Sequence, residues 1–171
     1  PEVESDGSAP VAAAGGGGGG APVGEKIKLC SPMTGSVHPM CESPDAAFAM
    51  KAMGDGFFVK PAKGELVAPA DGEVMMVFPT KHAIGFKSDD GVEFLFHVGV
   101  DTVKLNGQGF ETFVTDGQKV KKGDVLMKFD MDFVKKNAPS DAAMVILTAG
   151  QLVTMDKTGD VQALDEVATC Q

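Results

Sequence analysis

The chain has 171 residues, a net charge of -9, and neither tryptophan nor tyrosine. That length suits one well-buried domain, and the acidic balance excludes non-specific binding to nucleic acid or anionic lipid, which needs a basic face. No apolar run reaches membrane-spanning length and no charged-then-apolar leader opens the chain, so a soluble, cytoplasmic protein without direct membrane insertion is expected.

Residues 1–24 stand apart, because Ala12-Ala13-Ala14 runs into an unbroken glycine stretch, Gly15 to Gly20, with no periodicity and little to bury. They read as a flexible linker or tail, and residues 25–171 as the folded domain. From there short apolar segments recur between Gly, Pro and Asp punctuation: Ile27-Lys28-Leu29, Gly56 to Val59, Glu73 to Phe78, Ala83 to Phe86, Val92 to His97, Val125 to Phe129, Met144 to Leu147 and Leu152 to Met155. This spacing predicts an all-β, antiparallel sandwich or barrel. Two short helices are expected, Pro44 to Met50 with Ser43 as N-cap and Pro44 at the first helical position, and Met131 to Asn137 ahead of Pro139. An internal echo links Ser31-Pro32-Met33-Thr34-Gly35-Ser36-Val37 to Ala68-Pro69-Ala70-Asp71-Gly72-Glu73-Val74, a proline-to-glycine turn running into a strand, and hints at duplicated halves. Asp116 to Leu126 has the same character, with two glycine turns around a short strand. Cys30, Cys41 and Cys170 are odd in number and lack a Cys-x-x-Cys spacing, so they are expected reduced, with no disulfide framework or zinc ribbon.

His82 and His97 flank the turn Ser88-Asp89-Asp90-Gly91. A two-residue loop at Asp89-Asp90 puts them directly opposite, and one at Asp90-Gly91 makes them diagonal neighbours on one face; a three-residue loop sends the rings to opposite faces. Neutral imidazole is a nucleophile at pH 7 without a separate base, which suits phosphoryl or metal chemistry. Phosphoryl transfer needs one ring nitrogen held by a fixed acceptor while the other aims its lone pair, and a second donor for the charged oxygens. Gly99 lets a backbone carbonyl approach His97 and fix its tautomer, and Thr80 orients His82. The bland alternative is two polar residues on a half-exposed sheet face, but alternation does not explain a polar position between Phe94-Leu95-Phe96 and Val98.

The stretch Gly91 to Val103, continuing through Lys104-Leu105-Asn106-Gly107-Gln108-Gly109-Phe110, resembles the phosphorylation signature of glucose-type enzyme IIA of the bacterial phosphoenolpyruvate-dependent sugar phosphotransferase system. Similar words are Ser31 to Gly35, Phe48 to Gly56, Val67 to Gly72, Thr80 to Ala83 and Gly117 to Asp124, so the resemblance spans about residues 25–171. It implies a compact antiparallel β-sandwich that carries a phosphoryl group as a phosphotransferase component. The phosphocarrier protein HPr donates to His97, at Nε2; a cysteine of a IIB domain of a sugar permease accepts; His82 stabilises the phosphohistidine and Thr80 hydrogen-bonds His82. It further implies a docking surface of Ala47, Phe48, Met53, Phe78, Leu95 and Val103, about half of which core packing should bury, with Asp45 and Asp101 meeting basic groups of HPr. Asp45 can instead serve only the first turn of the short helix. Regulatory targets are a further class of partner, and no cofactor is required. Methionine at 50 stands where the family often has glutamate. The glycine-rich head is not amphipathic, which suits a tether to a permease.

Two rival readings differ in class. Ala49-Met50-Lys51-Ala52-Met53 resembles a biotin-acceptor word, although Ala52 interrupts it and Lys51 precedes Val120-Lys121-Lys122-Gly123-Asp124 rather than following it. A zinc hydrolase would need a third ligand, and His38, beside Pro39, reads as a turn or surface residue. His82 and His97 can still take up zinc adventitiously or with a partner's carboxylate.

Overall fold

The computed structural model describes residues 26–171, so the expected linker over residues 1–24 lies outside the described residues. The chain runs through β1 (Ile27–Cys30), β2 (Gly35–Pro39), a 3-10 turn (Met40–Glu42), α1 (Ala46–Ala49), β3 (Asp55–Pro61), β4 (Glu65–Val67), β5 (Gly72–Val77), β6 (Ala83–Ser88) and β7 (Glu93–Val100). A second 3-10 turn (Thr102–Leu105) leads to β8 (Phe110–Thr112), β9 (Lys119–Val120), β10 (Val125–Phe129), α2 (Met131–Asn137), β11 (Ser140–Leu147), β12 (Val153–Met155), β13 (Gly159–Val161) and β14 (Glu166–Cys170). The fold is the expected antiparallel β-sandwich. An eight-stranded sheet, β13-β2-β3-β11-β7-β6-β5-β9, packs with two three-stranded sheets, β1-β14-β12 and β4-β10-β8. Its core joins Phe57, Phe86, Phe94, Phe96, Val98 and Val145 of the large sheet to Leu29, Leu66, Leu126 and Val167 of the small ones.

The short sequence echo is the visible end of a two-fold repeat. Matching β2 with β5, β3 with β6, β11 with β7 and β13 with β9 makes the large sheet read the same from both ends, and β1-β14-β12 matches β4-β10-β8. Hydrogen bonds repeat with it: Ser31 N–H to Asp165 O and Ala68 N–H to Asp124 O are both 2.9 Å, and Leu164 N–H to Ser31 O and Gly123 N–H to Ala68 O are both 2.8 Å. The carboxylates of Asp165 and Asp124 each accept a backbone N–H three residues earlier, at 2.9 Å, from Gln162 and Lys121. Gly123 has φ 94, and its counterpart Leu164 is held at φ 77 despite its side chain.

The central pair β7 and β11 is covered on both faces, which is why Phe94 to Val100 reads as a nearly continuous apolar run. Phe94, Phe96 and Val98 enter the main core. On the other face Leu95 packs against a second cluster of Met40, Phe48, Phe58, Val100, Ala142, Met144 and Ile146. His97 stands on that face, paired with Ala83 on β6 and Met144 on β11.

Three expectations need correction. The first helix is shorter than Pro44–Met50 and its cap is Asp45, not Ser43. The Asp45 carboxylate accepts from Ala47 N–H (2.8 Å) and Phe48 N–H (3.4 Å), while the Ser43 hydroxyl accepts Asp45 N–H (3.2 Å) in the preceding turn. Charged oxygen accepts more strongly than hydroxyl, so it sets the start. Second, β4, β8, β13 and β14 went unpredicted; the first three have three residues each and exist because a longer neighbour pairs with them, while β14, whose only adjacent apolar residues are Val167-Ala168, is set by pairing with β1 on one side and β12 on the other. Third, the hairpin between the histidines has a three-residue loop, Asp89-Asp90-Gly91, closed by Ser88 N–H to Val92 O at 2.9 Å. Its last residue is Gly91 at φ 95, a common three-residue hairpin ending in a left-handed residue. The second helix, Met131–Asn137, has the expected bounds, with Asp130 as cap. All three cysteines are free, Cys30 and Cys170 buried and Cys41 exposed.

Candidate functional site

A three-residue loop makes Ala83 the partner of His97 and, by alternation alone, would turn His82 toward the core. The rings nevertheless converge, with centroids 4.8 Å apart and planes at 81°. The reason is local. Phe78 O accepts Lys81 N–H at 2.8 Å, Lys81 takes φ 62, and His82 lies in a bend before β6 rather than in the strand. Val98 N–H still donates to His82 O at 2.8 Å, so the backbone keeps its ladder while the side chain leaves the alternation.

Each imidazole is held at Nδ1. That of His97 lies 2.9 Å from Gly99 O. A carbonyl only accepts, so Nδ1 carries the proton and Nε2 the free lone pair. Gly99 adopts φ 83, and a methyl on its Cα would come within 2.3 Å of Thr102 Cγ2; glycine is required there to aim the carbonyl back at the ring. Nδ1 of His82 lies 2.8 Å from Thr80 Oγ1. A hydroxyl rotates to donate or accept, so Thr80 orients this ring in either protonation state.

Phe48 contacts His97 (centroids 5.0 Å) and Phe78 meets His82 edge-on (5.7 Å). Burial, followed by the charge of His97, pushes the His82 pKa down to about 4, with the Thr80 backbone acting in the opposite direction. His97 is lowered too, chiefly by burial, and is raised in turn by the Gly99 carbonyl and then by the Asp45 and Asp101 carboxylates. Both rings are therefore neutral at pH 7. The arrangement offers one aimed lone pair, one adjacent ring able to present an N–H, and two carboxylates close enough to favour positive charge.

Of the six apolar docking residues, only Phe48 is buried; Phe78 and Leu95 are half-buried, and Ala47, Met53 and Val103 are exposed. Less of this set is buried than core packing predicts, because α1 and the second 3-10 turn lie outside the sheet. Asp101 is exposed, at φ 57, and caps nothing with its side chain. Asp45 caps α1, as the narrower of its two readings has it, and its carboxylate also acts on His97.

His38 does not join the pair: it stands on β2, separated from β7 by β3 and β11, stacked on Phe58 (5.2 Å) with Nε2 2.9 Å from Ser36 Oγ. Among the described residues no group of three His, Cys, Asp or Glu side chains is arranged to hold a metal, and two imidazoles fall short of the three protein ligands of a catalytic zinc. Lys51, the residue of the biotin-acceptor reading, pairs with Asp55 at 3.3 Å. Sequence reasoning passed over Thr102, fully buried beneath Gly99; its signal, a hydroxyl between Asp101 and Val103, is too ordinary to single out. No helix among the described residues is long and apolar enough to cross a membrane.

Comparison with known proteins agrees with the geometry. The glucose permease IIA from Mycoplasma capricolum is 39% identical, superposes with a TM-score of 0.78, and is matched over 85% of this chain and 96% of its own. Residues 27–153 match the phosphoenolpyruvate-dependent sugar phosphotransferase system, EIIA 1. With three quarters of the chain inside that match, and the paired imidazoles inside it too, the chain belongs to the EIIA family of the sugar phosphotransferase system, in its glucose-permease type, and serves there as a phosphoryl-carrying phosphotransferase component.

Proposed function

We propose that His97 takes a phosphoryl group on Nε2 from the phosphohistidine of HPr and passes it to a cysteine of a sugar-specific IIB domain, coupling sugar uptake to phosphorylation. In the first step the donor N–P bond breaks as the Nε2–P bond forms; in the second the Nε2–P bond breaks as an S–P bond forms on the cysteine thiolate. The observation that carries the reading is the 2.9 Å contact from Nδ1 of His97 to the Gly99 carbonyl, which leaves Nε2 as the sole nucleophilic nitrogen. His82, in contact with that ring, donates to the transferred group. Formation of the phosphoryl dianion beside His82 favours a proton on this ring, so its low pKa in the resting protein becomes a response to phosphorylation.

The exposed Ala47, Met53 and Val103, with the half-buried Phe78 and Leu95, form the apolar centre of the partner surface, and Asp45 and Asp101 its acidic rim. An apolar centre with a charged rim suits a transient complex with a basic partner.

Incubation with phosphoenolpyruvate, enzyme I and HPr should add one acid-labile phosphoryl group to the wild type and none to His97→Ala. Full labelling of His97→Ala would overturn the assignment. His82→Gln should still be labelled by HPr but pass the group to IIB about 10²-fold more slowly, the scale of one preorganised donor. Normal onward transfer would leave His82 a structural residue.

A further inference from the structure

The geometry points to Thr102 as a positioning residue that sets the tautomer of His97 through its hydroxyl, which holds the peptide entering Gly99, with its methyl packed over the Gly99 Cα. This inference rests on the carrier reading for its consequence, though not for its geometry.

Thr102 is fully buried although polar, at the start of the 3-10 turn Thr102–Leu105. Its two branches do different work. The hydroxyl donates to Val98 O at 2.5 Å, fixing the peptide that enters Gly99. The methyl lies over the Gly99 Cα, in the space a Cβ would occupy. The peptide leaving Gly99 carries the carbonyl that accepts from His97 Nδ1 at 2.9 Å. Gly99, free of a side chain and at φ 83, has no preference of its own that would hold this carbonyl in place. The hydroxyl's hold on the entering peptide replaces that preference.

The clamp reaches the second imidazole as well. Val98, whose carbonyl Thr102 binds, donates its N–H to His82 O at 2.8 Å. Asp101, directly before Thr102 and left-handed at φ 57, is held in the same loop and acts on His97 through its charge. A single hydroxyl thus ties the turn that begins at Asp101 to the strand backbone under both rings. Releasing it lets the Gly99 carbonyl swing, after which the proton of neutral His97 can move to Nε2 and the nucleophilic lone pair is lost from the reacting position.

Thr102→Val keeps the branch and volume and removes the hydroxyl; Thr102→Ala removes both branches; Thr102→Ser keeps the hydroxyl alone. Long-range proton–nitrogen correlation spectra of the unphosphorylated proteins read the tautomer directly. Wild type and Thr102→Ser should show His97 protonated at Nδ1. Thr102→Val and Thr102→Ala should shift the tautomer ratio toward Nε2–H by about fivefold or more, the scale of one net hydrogen bond, with labelling by phospho-HPr slowed by at least that factor and restored in the serine variant. An unchanged tautomer in whichever of the valine and alanine variants folds would overturn the inference, whatever happens to the melting temperature. If neither folds while the serine variant shows Nε2–H, the hydroxyl is not the clamp and the inference also fails. Failure of the carrier reading is separate, since it would show as no labelling of the wild type while the tautomer still follows the Thr102 series.

Discussion

His82 is 3 % exposed, and burial together with the charge of His97 lowers its pKa from 6.5 to about 4. A histidine lowered on folding binds fewer protons in the native state than in the unfolded state between those two values, so stability rises with pH across that window. The contribution is complete above pH 6.5 and is lost as pH falls toward 4. A gap of about 2.5 pH units corresponds to about 3 kcal/mol, which in a domain of this size lowers the melting temperature by about 6–12 °C. His97 moves in the same direction, so the pair titrates together. Carboxylates also titrate in this range, and His82→Gln isolates the imidazole by keeping a polar side chain of similar reach that cannot take up a proton. Thermal unfolding of both proteins, followed by circular dichroism in steps from pH 7.5 to 4, should give curves that diverge below pH 6.5, with the wild type falling further. Parallel curves would refute the reasoning, because His82 would then be protonated as readily in the fold as outside it.

Gly99→Ala should cost about 2 kcal/mol or more, since alanine is disfavoured by about 1–2 kcal/mol in left-handed backbone and its methyl would meet Thr102 Cγ2 at 2.3 Å. Displacement of the carbonyl from His97 should slow labelling by about 10²-fold, and a variant with wild-type melting and labelling rates would show that the carbonyl is not held by this glycine. Replacing Asp45 and Asp101 with Asn together preserves the helix cap and suits the left-handed conformation at 101, so the fold should persist while association with HPr slows. Added salt should then slow the wild type more than the double variant, and equal salt sensitivity would remove both carboxylates from the interface.

Much of this architecture was legible because it is written in apolar runs and turns. The strands from Val125 and from Ala83 and the helix Met131–Asn137 start where the pattern predicts, and His97 stood out because a polar residue interrupts a run buried on both faces. What escaped was decided by tertiary partners. Glu65-Leu66-Val67 and Gly159-Asp160-Val161 carry no signal alone and become strands only when β10 and β2 are in place. The helix start turned on two neighbouring caps in series, the Ser43 hydroxyl taking the Asp45 N–H and the Asp45 carboxylate the Ala47 and Phe48 N–H groups that open the helix. Convergence of the two rings could not follow from alternation, since the loop length argued against it; a left-handed Lys81, invisible in the residue type, reversed the outcome.

The two-fold repeat gives the paired imidazoles of one half a matching position in the other that holds none. Gly72 pairs with Ser88 and Gly35 with Pro61, so the residue six before each, His82 and Asp55, occupies the same place in its half. The turns leading there also correspond, with Lys81 N–H to Phe78 O at 2.8 Å and Gly54 N–H to Lys51 O at 3.1 Å. Ala83 faces His97, while its counterpart Gly56 faces Ile146. In the second half the polar group is fully engaged: Asp55 accepts from Gly56 N–H at 2.9 Å and Val153 N–H at 2.8 Å, and pairs with Lys51. Its carboxylate latches β12 to the sheet, and an apolar Ile146 fills the place of His97. In the first half the same bend holds an imidazole by one nitrogen only. The fold therefore supplies two equivalent positions at the start of a central strand, and the one left with an unspent nitrogen is the one that faces a second imidazole.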